Sequence, residues 1–237
     1  MRRSTPPPES IRPRQLSFDL PLAPGMGRED FLVTPCNQAA HAAISRWPAS
    51  PDDAHALALV GPPGSGKTHL AEIWRLEHDA LKCTPADLAV DTVPTLLSRG
   101  GLVLEDMPGA ALDETALFHL LNLARQEGAF VLFTAEGSPA TWPVGLPDLK
   151  SRLAATPFVE LEPPDDDLLR AVLVKLFADR QLRVDEKVIA YLLPRMERSL
   201  SAAQRMVAAL DDAALEQRRN ITRRLAAKVL EKMEATE

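Results

Sequence analysis

The chain has 237 residues, 46% of them apolar and 25% charged, with a formal net charge of −6. That length supports one large domain or two small ones with a core of ordinary size, and only two cysteines, Cys36 and Cys83, exclude a disulfide framework and a four-cysteine zinc site. No apolar run approaches the ~18 residues of a membrane span, the basic N-terminus lacks the apolar stretch of a secretory signal, and the acidic balance argues against an indiscriminate grip on nucleic acid; a reducing cytoplasm and no membrane partner are expected.

Residues 1–30 carry six prolines, too little apolar surface to offset the entropy of ordering, and read as a flexible tail. Within it Gln15, Leu16, Ser17, Phe18, Asp19 and Leu20 form a denser patch. Composition leaves two readings open: a patch that docks on the protein's own body, or a linear motif for a partner's groove. From 31 to 162, short apolar runs alternate with helical patterns. Ala56–Val60, Leu102–Leu104, Phe130–Phe133 and Phe158–Leu161 read as strands, the first three apolar throughout, as when both faces are covered. A helix starts at Lys67, with Leu70, Ile73 and Trp74 on one face, and another spans roughly 114–127. Strand and helix in alternation imply a parallel sheet with helices on both sides. From 163 to 237 no strand is convincing. Pro163 and Pro164 stop the chain, Asp165 caps a helix, and four stripes at helical spacing follow, around Leu168–Phe177, Val188–Met196, Met206–Leu210 and Leu225–Leu230. This is a small helical bundle, and the arginines at 218, 219, 223 and 224 read as a solvated helix face.

Gly61, Pro62, Pro63, Gly64, Ser65, Gly66, Lys67 and Thr68 fit the phosphate-loop pattern in full, after a strand and before a helix, the context the motif requires. Its glycines let backbone N–H groups turn toward phosphate oxygens, and the helix N-terminus adds positive potential. Lys67 reaches the terminal phosphates and Thr68 can ligate Mg²⁺; His69 adjoins them. Such a loop needs an acidic partner at a neighbouring strand end, and Glu105 and Asp106 supply it. Glu105 takes the position of the metal-holding carboxylate and Asp106 that of the water-polarising one, an order that points to slow hydrolysis rather than to failed binding. Thr134, ending the next strand, would lie between phosphate and attacking water. The alternative for the acids is a solvent-exposed pair.

These features together resemble the DnaA clade of AAA+ ATPases, and within it the Hda family of regulatory inactivators of DnaA, over residues 15–237. The stretch Glu29–Val33 followed by Cys36–Ala40 is similar to the clade's segment against the adenine, which implies base contacts from Phe31, Val33 and Asn37. Leu146–Leu153 is similar to the box that carries an arginine finger, with Arg152 at the finger position. Gln15–Leu20 is similar to the family's motif for the DNA polymerase sliding clamp. The resemblance implies a P-loop parallel sheet followed by a helical lid, bound ADP or ATP with Mg²⁺ held through Thr68 and Glu105, and two partners, DnaA and the β subunit of DNA polymerase III. It implies no sequence-specific DNA binding, since the lid is followed by no helix-turn-helix region. It leaves open the oligomeric state, a homo-oligomer included, and the importance of any intrinsic ATPase activity.

Three positions depart from the pattern. One is the Glu105–Asp106 order, and another is Ala154–Pro157, where an aromatic-glycine turn is usual. The third is the lid arginine that senses nucleotide, whose position falls on Ser201; Arg205, or else Arg198, is the expected substitute. The implied function is stimulation of hydrolysis of DnaA-bound ATP by Arg152, which restrains initiation of replication. The alternatives are a helicase-loader-like, DNA-directed ATPase of the same clade and a P-loop protein with another adaptor role.

Overall fold

The computed structural model describes residues 27–217 and 220–234. Gln15–Leu20, Arg218 and Arg219 lie outside the described residues.

The apolar runs make a five-stranded sheet. β1 (Ala56–Val60) lies between β4 (Phe130–Ala135) and β5 (Phe158–Glu160), and the sheet continues from β4 to β3 (Gly101–Met107) and β2 (Leu81–Cys83). Every pairing is parallel. Alternation along the strands sends two sets of side chains to opposite faces. Ala58, Val60, Leu102, Leu104, Val131 and Phe133 meet α4 (Glu114–Glu127) and α5 (Pro147–Ala155). Leu57, Leu59, Val103 and Leu132 meet α1 (Pro35–Ile44) and α2 (Lys67–Glu77). A short helix, α3 (Val93–Leu96), closes the first face near β2.

Four helices follow the sheet: α6 (Asp166–Asp179), α7 (Glu186–Leu192), α8 (Leu200–Gln217) and α9 (Arg223–Glu234). They bury their own core, in which Phe177, Ile189, Leu192, Met206, Leu210 and Leu225 take part. The helix starts are fixed locally. Asp113 accepts the N–H groups of Thr115 and Ala116 at the head of α4, Asp165 accepts that of Leu168 at α6, and Asp185 that of Lys187 at α7. α4 stops at Gly128, whose φ of 69° is the left-handed cap that a glycine adopts without strain. Among the described residues, no helix is long and apolar enough to cross a membrane.

Three segments differ from the sequence reading. β2 is three residues long, with the exposed Lys82 between the part-buried Leu81 and the buried Cys83, too short to show an apolar run or a sustained alternation. The polar stretch at 148–152 is the helix α5. It buries Leu149 and Leu153, a single pair one helical turn apart and too little periodicity to read. β3 continues past Leu104 to Met107 through a register slip, with Asp106 at φ 57°.

Candidate nucleotide site

The loop from Gly61 to Gly66 joins the end of β1 to the start of α2. A Cβ at Gly61 would lie 2.4 Å from the Leu161 carbonyl oxygen, so the chain can pass here only as glycine. Gly61 donates its N–H to the Ala135 carbonyl at the end of β4, at 3.1 Å. Gly64 has φ +68°, and a Cβ on it would meet Ser199 at 2.5 Å, because the lid closes directly over the loop. The Leu200 N–H donates to the Gly64 carbonyl at 2.7 Å, while the buried Ser199 hydroxyl accepts the N–H of Ala202 and caps α8.

Lys67 is buried and turned back on its own loop. Its Nζ donates to the carbonyls of Gly61 at 2.7 Å and Pro62 at 2.9 Å. Burial lowers its pKa, and the carboxylates of Glu136 and Asp106 oppose that shift. Above the loop is a cavity of about 770 Å³, a size typical of small-ligand sites. Gly64, Gly66, Lys67, Thr68 and His69 form its floor, Asp106 and Glu136 stand on one side, and Ser201 and Gln204 of α8 on the other. The N–H groups in the first turn of an α-helix have no partners within it, and at α2 that turn lies in the cavity floor. Loop, lysine and helix terminus make a cradle for a polyphosphate.

The other expected site residues fall in several places. Asp106 lines the cavity, and its backbone N–H is held by Thr134, which accepts it at 3.0 Å. Thr134 is fully buried and outside the lining, so it positions Asp106 rather than facing the cavity. Glu105 is also outside the lining and is paired with Lys82 at 3.3 Å. Of the expected metal pair, therefore, Thr68 faces the cavity and Glu105 does not. Phe31 stacks on His41 and meets His69 edge-on, with ring centroids 5.5 and 5.3 Å away. Asn37 is a brace: it accepts the Thr34 N–H and donates to the Leu32 carbonyl. Val33 is exposed, and Phe31, Val33 and Asn37 all lie outside the lining. Asp30 ties this segment to the lid through Lys175 at 2.8 Å, and that hydrogen bond holds its carboxyl below the usual range.

The lid arginines point elsewhere. Arg205 pairs with Glu197 at 3.2 Å and Arg198 with Asp166 at 2.6 Å, while Ser201 and Gln204 face the loop. Arg152 lies half-buried on α5, its guanidinium carbon 5.1 Å from the ring centroid of Phe118 on α4. It does not line the cavity and, among the described residues, makes no ion pair, with Asp148 or any other carboxylate. Sequence reasoning missed Glu136, Gln204 and Lys82. Glu136 follows the carboxyl end of β4, where ligands of open α/β sheets gather, so carrying that strand two residues further would have found it.

Comparison with known proteins bears on both halves. The family model described as "Hda, lid domain" matches residues 165–230. Domain III of the Thermotoga maritima replication initiation protein DnaA superposes with a TM-score of 0.73 over 90% of this chain and 98% of that one, at 20% identity. The helical segment at 165–230 is thus similar to the Hda lid domain, and the chain as a whole shares the fold of DnaA domain III. AMPPCP-bound DnaA from Aquifex aeolicus gives 0.62 at 18% identity, covering 77% of this chain and 64% of that one. The RuvB branch migration motor of Thermotoga maritima gives 0.66 at 18% identity, over 88% and 72%. In sequence, an uncharacterized protein of Haemophilus influenzae is 26% identical over 184 residues, 73% of this chain and 80% of its own length. The fold is thus a five-stranded parallel sheet shared with these structures, followed by helices that match the Hda lid model.

Proposed function

We propose that this chain is a regulatory AAA+ protein that holds an adenine nucleotide in its own P-loop and stimulates hydrolysis of ATP bound to DnaA. The observation that carries the reading is the separation of two cations. Lys67 lies in the floor of a cavity closed by the lid. Arg152 stays outside that cavity, over an aromatic ring and, among the described residues, in no ion pair with a carboxylate. A guanidinium is always charged and its planar fork can contact two phosphate oxygens at once, so Arg152 suits the charge that develops on a phosphoryl group held by a neighbour. The bound AMPPCP of the DnaA relatives supports an adenine nucleotide in the same cradle. Asp106, aimed by Thr134, is the carboxylate beside the terminal phosphate. Docking on the sliding clamp through Gln15–Leu20 brings the chain to DNA where DnaA is converted, with Leu16, Phe18 and Leu20 as apolar anchors. The outcome is restraint of replication initiation.

The test is reconstitution. DnaA loaded with labelled ATP is mixed with the chain, sliding clamp and DNA, and the conversion to ADP is followed. Conversion that needs all of these, and is lost when Gln15 and Leu16 are replaced by Ala, supports the proposal. Conversion that ignores the clamp removes the docking step. Turnover of the chain's own ATP driven by single-stranded DNA, with DnaA-bound ATP untouched, would instead make it a DNA-directed ATPase.

A further inference from the structure

The basic end of the chain, which the sequence presents as a solvated helix face, is organised in the structure around one ring. Tyr191 of α7 is half-buried and carries two guanidinium groups. The Arg195 carbon lies 4.2 Å and the Arg223 carbon 4.7 Å from the ring centroid. Arg195 follows the end of α7 and turns back, its Nη1 donating to the Tyr191 carbonyl at 3.0 Å. Arg223 comes from the first turn of α9, which lies beside α7. Two cations on one ring can be no further apart than those two distances together, so they repel each other, and the attraction of the ring for each holds them in place. Among the described residues neither arginine is in an ion pair, and Glu197, close in the chain, is taken by Arg205. Lys187 lies one helical turn before Tyr191 on α7, and Arg224 and Lys228 are one turn apart on α9. All three are exposed and, among the described residues, also in no ion pair.

The net charge of −6 is an average over the chain: between 218 and 232 there are six basic residues and one acid. The first turn of α9 holds no acid to offset the partial positive charge of the helix terminus. We propose that this part of the lid, from Lys187 through the Tyr191 pair to Arg224 and Lys228, binds the phosphate backbone of duplex DNA without reading its sequence. Charge and chemistry favour that occupant. Guanidinium forks pair bidentately with phosphate, and arginines ordered on a ring beforehand lose little side-chain freedom on binding. A duplex carries one negative charge per about 1.7 Å of its axis, so it offers phosphates to cations spread over two helices. Tyr191 is half-buried and taken by two guanidinium groups, which leaves no free ring for the base stacking that single-strand binding uses. The proposal goes beyond the conversion of DnaA-bound ATP and does not depend on it; where clamp docking brings the chain to DNA, the lid gains a second hold there.

Fluorescence anisotropy of a short labelled duplex of arbitrary sequence, titrated with the full chain in the absence of nucleotide, DnaA and clamp, tests this. Affinity should fall by about 10–100-fold between about 50 and about 200 mM salt, as release of counterions from about three phosphates requires. Arg195→Gln with Arg223→Gln should weaken binding by about tenfold or more at the lower salt and make the salt dependence shallower. Arg224→Gln with Lys228→Gln, both exposed on α9, should act in the same direction without touching the Tyr191 ring. Arg46→Gln with Arg125→Gln removes the same charge from exposed positions outside the lid and should leave affinity within about twofold. Circular dichroism establishes that each variant folds. A wild type that fails to bind the duplex at the lower salt, or binds it without salt dependence, overturns the proposal. Wild-type affinity in either folded lid variant contradicts it, as does an equal loss in the Arg46 and Arg125 variant. Tighter binding of a single strand than of the duplex, by about tenfold or more, would put bases in place of the backbone and overturn it as well. None of these outcomes bears on the DnaA-bound ATP, whose conversion succeeds or fails in the separate reconstitution.

Discussion

The cradle under the lid and the face of α5 treat their cations in opposite ways. At the cradle, Lys67 is buried, donates to two carbonyls of its own loop, and sits where α8 closes over Gly64 through a main-chain hydrogen bond. At α5, Arg152 lies over the Phe118 ring and, among the described residues, leaves its hydrogen-bonding fork uncommitted to any carboxylate. A cation satisfied by its own chain shapes a site for that chain's ligand. A cation held in orientation by a ring, with its donors unused, can serve an anion on another molecule. The two regions should thus respond to substitution independently, which gives several ways to break the comparison.

The largest effect is expected at α5. Arg152→Ala should remove a stimulation of DnaA-bound ATP hydrolysis of roughly 10³–10⁵-fold, by analogy with arginine fingers in general, and Arg152→Lys should restore little of it, since a point charge lacks the fork. Melting temperature and nucleotide affinity should not change in either variant. Next comes Lys67→Ala, which should weaken nucleotide binding by about 100-fold or more through loss of a charge-assisted contact, read by calorimetry. It should also erase the rise in melting temperature that bound nucleotide produces by mass action. Gly64→Ala sharpens the comparison further. The new Cβ meets Ser199 and the residue keeps a positive φ, so a destabilisation of about 1–3 kcal/mol is expected in chemical denaturation, with weaker nucleotide binding as the lid moves off the loop. The smallest effect belongs to Lys175→Ala, which removes the part-buried tie between the lid and Asp30 and should cost about 1 kcal/mol.

What could be read in the sequence was whatever is contiguous or periodic. The P-loop is eight consecutive residues whose types each have a physical reason, and the lid stripes repeat at 3.6 residues, so cradle and bundle were both legible. Contacts set by tertiary geometry were not. Lys82 belongs to a three-residue strand without pattern, and its pairing with Glu105 exists only once β2 lies beside β3. Arg205 shows how little phase error is needed: one residue turns a helical position by about 100°, so Gln204 faces the loop while Arg205 reaches Glu197. Thr134 was read as lying between phosphate and attacking water, whereas it is buried within β4, and the slip in β3 brings the Asp106 N–H to its hydroxyl, which the sequence does not encode locally.

The central claim is that the cation on α5 works on another protein's nucleotide while the cradle keeps its own. The most direct measurement is the single-turnover rate of loss of labelled ATP pre-bound to DnaA, on DNA-loaded clamp, with wild type and with Arg152→Ala at equal nucleotide occupancy of the added chain. Conversion by the wild type, with Arg152→Ala falling to the rate of DnaA alone while still retaining its own nucleotide, is the result the claim requires. Wild-type stimulation by Arg152→Ala, or a loss of its own nucleotide that accounts for the defect, would contradict it.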